Sequence, residues 1–184
     1  SSLSIRPGSV TRAYQRLVAA GTRSKLLPGI MSRRAEAFTK NQETRELISN
    51  RLGWVDVASK MVGRVDEIEL FGARALSDDL TQIVLIGMGG SSLCPEVFKL
   101  IFGQRTGVKT IDILDSTDPA AIMAVTNKLD LRKSLFIVAS KSGGTIETRS
   151  HEAFFIDKLK KAGITDFGQH FAAITDPASE LETF

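Results

Sequence analysis

Four short apolar runs, each closed by a cluster of small hydroxyl, glycine or aspartate residues and then by a helix-forming stretch, constrain this chain more than any other feature. They are Gln82 to Ile86, Lys109 to Leu114, Leu135 to Ala139 and Phe171 to Ile174. Each is rich in β-branched or aromatic residues, as strands are. After the first, Ser91 or Ser92 is placed to cap a helix with Pro95 and Glu96 in its first turn. Asp118-Pro119 starts a second helix with an N-cap acid and a proline at N1, Thr145 or its neighbour opens a third, and Asp176-Pro177 is expected to open a fourth. Strands alternating with helices need crossover connections, which predicts an α/β fold with a parallel sheet covered on both faces. In such sheets ligands sit beyond the carboxyl ends of the strands.

The stretch from Ser1 to about Leu80 reads differently: it is helical, with Leu27-Pro28-Gly29 and Gly53-Trp54 as turn signals. We expect a helical N-terminal extension over residues 1–80 that helps cover the sheet of residues 81–184, with Trp54 as a packing residue. A chain of 184 residues, 42% hydrophobic, buries one proper core. Only seven residues follow Pro177, too few for another crossover, and position 1 is not Met, so we expect an excised or processed part whose second region is incomplete at its C-terminus. The single Cys94 forms no internal disulfide, and with no secretory leader the expected location is the cytoplasm. Net charge is +3 with basic residues dispersed, which argues against nucleic acid, and no apolar run suits a membrane.

Two of the four loops carry chemistry. Gly87-Met88-Gly89-Gly90-Ser91-Ser92 and Ser140-Lys141-Ser142-Gly143-Gly144-Thr145 each join a buried strand to a helix N-terminus. Glycines let a ligand approach the backbone, hydroxyls donate hydrogen bonds, and a helix start adds unpaired N–H groups with partial positive charge. The first loop fails the dinucleotide fingerprint, which needs glycine where Ser92 stands, and Asp115 lies farther on than the usual spacing of about 20 residues. Its plain alternative is a tight turn that binds nothing. The second loop gathers three hydroxyls and a cation, as around a phosphate monoester, yet is not a P-loop because its lysine precedes the glycines. Lys141 as a solvated charge is the alternative there. Together the loops predict a phosphorylated ligand held between them.

Catalytic candidates are few. His151, inside the third helix, and His170, before the fourth strand, read as structural or solvated. Glu147, in the first turn of the third helix, is better placed, although an acid there also complements the helix terminus. Cys94 reads as inert, and no Cys/His spacing supports a metal site.

At these residues the chain resembles a known family. Gly87-Met88-Gly89-Gly90-Ser91-Ser92-Leu93, Leu114-Asp115-Ser116-Thr117-Asp118-Pro119, Ala139 to Thr148 and Ala173-Ile174-Thr175-Asp176-Pro177 are similar to the first sugar-isomerase (SIS) domain of the glucose-6-phosphate isomerase family. With Asn50-Arg51-Leu52-Gly53-Trp54 upstream, the wording is closest to the isomerase half of bifunctional transaldolase/glucose-6-phosphate isomerases. The resemblance implies a three-layer α/β/α sandwich and interconversion of glucose 6-phosphate and fructose 6-phosphate through a cis-enediolate. It also implies that Gly90 and Ser91 contact the sugar while Ser140, Lys141, Ser142 and Thr145 hold its phosphate. Gly143-Gly144 departs from the bulkier residues typical of this loop. The family's base and ring-opening histidine are expected in a further SIS domain beyond this stretch, so the chain alone is expected to be inactive. No cofactor is implied, and a homo-oligomer is among the states left open. A non-catalytic phosphosugar-sensing SIS module and a dinucleotide-binding domain are the alternatives.

Overall fold

A computed structural model describes residues 8–182; the first seven residues of the expected helical extension, and the final two residues of the chain, lie outside the described residues. The chain divides into two compact units, residues 1–68 and residues 69–184. The first unit is helical: α1 (Thr11–Arg23), α2 (Leu26–Met31), α3 (Gln42–Arg51) and α4 (Val57–Val62) are joined by short turns. Asn41 caps α3, its side-chain oxygen accepting from Thr44 N–H at 2.8 Å. Gly29 in α2 faces Ala37 so closely that a Cβ would lie 2.2 Å from the alanine methyl. Trp54 is 66% exposed, so the packing role expected of it is not found. The turn at residues 53–55 displays the indole rather than burying it.

α5 (Val65–Ser77) leads into the second unit, which holds β1 (Gln82–Gly87), α6 (Gly90–Phe102), β2 (Thr110–Leu114), α7 (Pro119–Thr126), β3 (Ser134–Ala139), α8 (Ile146–Lys161) and β4 (Phe171–Ile174). All four apolar runs are strands, in one parallel sheet of order β2-β1-β3-β4. Alternating side chains serve opposite faces. Val84, Ile86, Leu114, Phe136 and Val138 meet Ile122 and Val125 of α7 and Phe155 and Leu159 of α8. Phe136 stacks on Phe155 and Phe171 with ring centres 4.4 and 5.1 Å apart. On the other face Leu135 meets Ala75 and Leu80, and the right-handed crossover from β1 to β2 puts α6 on that side. The result is the expected α/β/α layering.

Two helix starts differ from expectation. α6 begins at Gly90, so neither Ser91 nor Ser92 caps it and Pro95 falls in its second turn. The N-cap is Gly89, which has no side chain to signal it. Asp176-Pro177 opens no helix among the described residues; residues 177–182 form a run of turns. That segment is shaped by Leu181, which is 2% exposed and joins the core with Phe136 and Leu159. By contrast Asp118 caps α7 as expected, accepting from Ala120 N–H at 2.8 Å with Pro119 at the first helical position.

Candidate functional site

The chain runs from β1 outward to β2 and from β3 outward to β4, so strand order reverses between β1 and β3. Such a switch point opens a crevice at the carboxyl ends of the strands. The loops after β1 and β3 are the two that flank it. They converge on Gly87, the register partner of Ala139. A Cβ there would lie 2.9 Å from the Ser91 Cβ and 3.1 Å from the Ala139 carbonyl oxygen. Only glycine lets the end of β1, the start of α6 and the end of β3 come this close, and the same approach sets Ser91 beside the strand end that leads into Ser140.

In the second loop, Ser140 is buried and its hydroxyl pairs with that of Thr145 at 3.0 Å. Thr145 occupies the N-cap of α8, yet its side chain does not cap. The N–H groups of Ile146, Glu147 and Thr148 are the orphan donors of that helix start. They face outward with the positive end of the helix dipole behind them. Ser142 is exposed and its oxygen accepts weakly from Gly144 N–H at 3.4 Å, leaving the hydroxyl proton available. Lys141 is exposed, with Nζ 3.9 Å from Asp176, a loose pair in solvent.

The first loop offers fewer donors than its sequence promises. The amides of Ser91 and Ser92 already bond the Met88 and Gly89 carbonyls at 3.2 and 3.1 Å. The buried Ser92 hydroxyl turns back to Gly89 at 2.9 Å. Gly90 is exposed and Ser91 half-buried, so what remains is the backbone at Gly90 and the Ser91 hydroxyl. Pro95, lacking an N–H, leaves the Ser91 carbonyl without its helical donor.

Gly143 has a different task from the one its sequence suggests. It is buried with φ +75°, and a Cβ would lie 2.8 Å from Glu180 N and 2.9 Å from Leu181 N. It makes room for the 179–181 turn rather than for a ligand. That turn, with Asp176 N–H donating to the Lys141 carbonyl at 3.2 Å, backs the second loop from outside. Sequence reasoning missed this support because the aspartate and proline that begin the segment suit a turn as well as a helix.

Of the remaining candidates, Glu147 is half-buried in the first turn of α8. His170 Nδ1–H donates to the Ser134 carbonyl at 2.9 Å, a structural role. His151 is buried with Nε2 3.0 Å from the Ser116 carbonyl oxygen, and burial pushes its pKa below the ordinary value, against smaller upward pulls from that bond and from Glu147. Glu152, buried beside it in sequence, is shifted upward by burial despite its ion pair with Arg149. Cys94 is exposed, not buried as an inert core thiol would be. Among the described residues no group of three or more His, Cys, Asp or Glu side chains is arranged to hold a metal ion. No described helix is long and apolar enough to cross a membrane. A groove of about 610 Å³ between α1 and α2 is lined mainly by apolar side chains, among them Leu17, Val18 and Leu26, with Tyr14, Thr22 and Lys25 as its polar members.

Comparison with known proteins identifies the family. A sequence model of the family described as phosphoglucose isomerase matches residues 14–184. A glucose-6-phosphate isomerase of Cyanothece sp. is 33% identical over 136 residues, 68% of this chain and 26% of that protein. One from Thermus thermophilus is 31% identical over 165 residues, 84% of this chain and 38% of the relative. The crystal structure of a Chlamydia trachomatis glucose-6-phosphate isomerase superposes with a TM-score of 0.59 at 26% identity, covering 83% of this chain and 28% of that one. The chain thus spans between 26% and 38% of the length of these relatives. Matched by that family over most of its own length, the chain belongs to the phosphoglucose isomerase family.

Proposed function

We propose that this chain is the phosphosugar-holding part of a glucose-6-phosphate isomerase. Gly90 and Ser91 contact the sugar, and Ser140, Lys141, Ser142 and Thr145, with the open N–H groups at the start of α8, hold its phosphate. The observation that carries the reading is the Ser140–Thr145 hydroxyl pair. It draws the N-cap side chain away from its own helix and leaves an uncapped, positively polarised terminus in a loop of hydroxyls.

In the whole protein the reaction moves a proton from C2 of the open-chain aldose to C1, through a cis-enediolate. Phosphate held here is remote from those carbons. Its binding energy fixes them relative to the base, so it acts on orientation as well as affinity. The base and the ring-opening acid belong to parts of the protein outside this stretch. Glycolysis and gluconeogenesis in the cytoplasm are the setting this activity implies, with glucose 6-phosphate and fructose 6-phosphate as partners.

Calorimetric titration with inorganic phosphate, fructose 6-phosphate and fructose tests the reading. The two phosphate-bearing ligands bind and fructose does not. Ser142→Ala weakens the phosphate ligands by about 1.5–3 kcal/mol, the value of a hydrogen bond to a charged acceptor. Equal binding of fructose and its phosphate, or an unaffected Ser142→Ala variant, overturns it.

A further inference from the structure

We propose that His151 is a positioning residue of this site: its imidazole, protonated at Nε2, ties the loop after β2 to α8 across the carboxyl end of β1 and so fixes the first turn of α8. The inference rests on the phosphate reading of that turn. His151 is 1% exposed on the buried face of α8, with Thr148, Glu152 and Phe155. Its Nε2 lies 3.0 Å from the Ser116 carbonyl oxygen. A carbonyl only accepts, so Nε2 carries the proton and the neutral ring keeps its lone pair on Nδ1.

The bond begins a longer connection. Ser116 Oγ accepts from Asp118 N–H at 3.2 Å, and Asp118 in turn caps α7 through Ala120 N–H at 2.8 Å. α8 follows β3, whereas Ser116 follows β2, and β1 lies between those strands. α8 packs against β1 as well as β3, so the imidazole reaches from the helix over β1 to the loop that follows the neighbouring strand β2. That edge is where the Gly87–Ser92 loop leaves the sheet.

A core-filling role alone does not account for the residue. Nδ1 of His151 and Oγ1 of Thr148, one turn apart, are both buried with no hydrogen-bond partner within the protein. A leucine would fill the space without burying such atoms. The tie to Ser116 is what the imidazole adds, and it is the hydrogen bond between the 115–118 loop and α8 that a change at this position removes.

The test uses the chain as it is, with His151→Leu, which fills the space without a donor, and His151→Gln, whose amide can donate to Ser116. Amide exchange at Asp118 and Ala120, affinity for inorganic phosphate and the imidazole nitrogen shifts are the readouts. In the wild type the nitrogen shifts report a proton on Nε2 and none on Nδ1 near neutral pH. The leucine variant exchanges about fivefold faster at both amides and binds phosphate about fivefold more weakly, the factor that one neutral hydrogen bond supplies. The glutamine variant recovers most of both. If the leucine variant does not fold, His151→Asn, too short to reach Ser116, takes its place. A proton on Nδ1, unchanged exchange in a folded leucine variant, or altered exchange with unchanged phosphate affinity each overturns the proposal. Absence of phosphate binding by the wild type overturns the phosphate reading and the site role with it, while the exchange and nitrogen shifts still report whether the tie exists.

Discussion

Replacing Gly143 by alanine perturbs the second loop without touching any group assigned to the ligand. The residue sits at φ +75°, where an L side chain is strained by about 1–2 kcal/mol. The new Cβ would also stand 2.8 and 2.9 Å from the backbone nitrogens of Glu180 and Leu181. Backbone on both sides cannot rotate away, so the 179–181 turn must lift. That turn carries Leu181, which is 2% exposed in the core, and exposing a leucine costs about 1.5–3 kcal/mol. The two costs together come to roughly 2.5–5 kcal/mol if the turn detaches. Hydrogen exchange of the β3 amides, which reports opening of the second unit by itself, measures the loss. Gly144→Ala is the control: its Cβ would meet the Glu180 carboxylate at 3.6–3.7 Å, ordinary contact, so a change within about 0.5 kcal/mol is expected. A Gly143→Ala variant as stable as the Gly144→Ala control would refute the argument that Gly143 makes room for the turn.

Other perturbations probe the chemistry. Ser140→Ala and Thr145→Ala should each weaken phosphate binding, and the double variant should lose less than the sum, with a coupling of at least about 0.5 kcal/mol in a calorimetric cycle, because the hydroxyls act as one pair. Strict additivity would count against that pairing. Burial depresses the His151 pKa from its ordinary 6.5, so the unfolded chain binds a proton that the folded chain resists; stability should fall as pH drops below about 6.5, until the folded histidine also titrates. Urea unfolding followed against pH should show that decline in the wild type and a flatter profile in His151→Leu; identical profiles would exclude the effect. The chain alone should not interconvert glucose 6-phosphate and fructose 6-phosphate, since His151 is buried with Nε2 engaged and Glu147 has no ring-opening partner assigned to it. Sustained turnover in a coupled assay, lost in Glu147→Gln, would reverse that expectation.

What could be read from the sequence followed from local signals that the fold left uncontested. The four strands appeared where β-branched and aromatic runs stood, and Asp118-Pro119 capped α7, because both signals act within a few residues. The parallel sheet followed from the alternation of strands and helices, whereas the strand order that creates the switch point came only with the structure. Choices among equally near partners could not be read. Thr145 was visible as an N-cap, yet its hydroxyl bonds Ser140 rather than its own helix. Asp176-Pro177 carried the same two-residue signal as Asp118-Pro119 but yielded turns, because burial of Leu181 outweighs local preference. His151 and Ser116 are 35 positions apart, and no periodicity announces their bond. The glycines of the second loop looked like room for a ligand, whereas Gly143 is room for the chain itself.

The central claim is that both strand-end loops hold one phosphorylated sugar, and amide chemical shifts of the isotope-labelled chain during titration with fructose 6-phosphate test it most directly. The account predicts concentration-dependent shifts that saturate together at Gly89 to Ser91 and at Lys141 to Thr148, with fructose producing none. Shifts confined to other parts of the chain, or none at millimolar ligand while the sheet amides remain native, would contradict it.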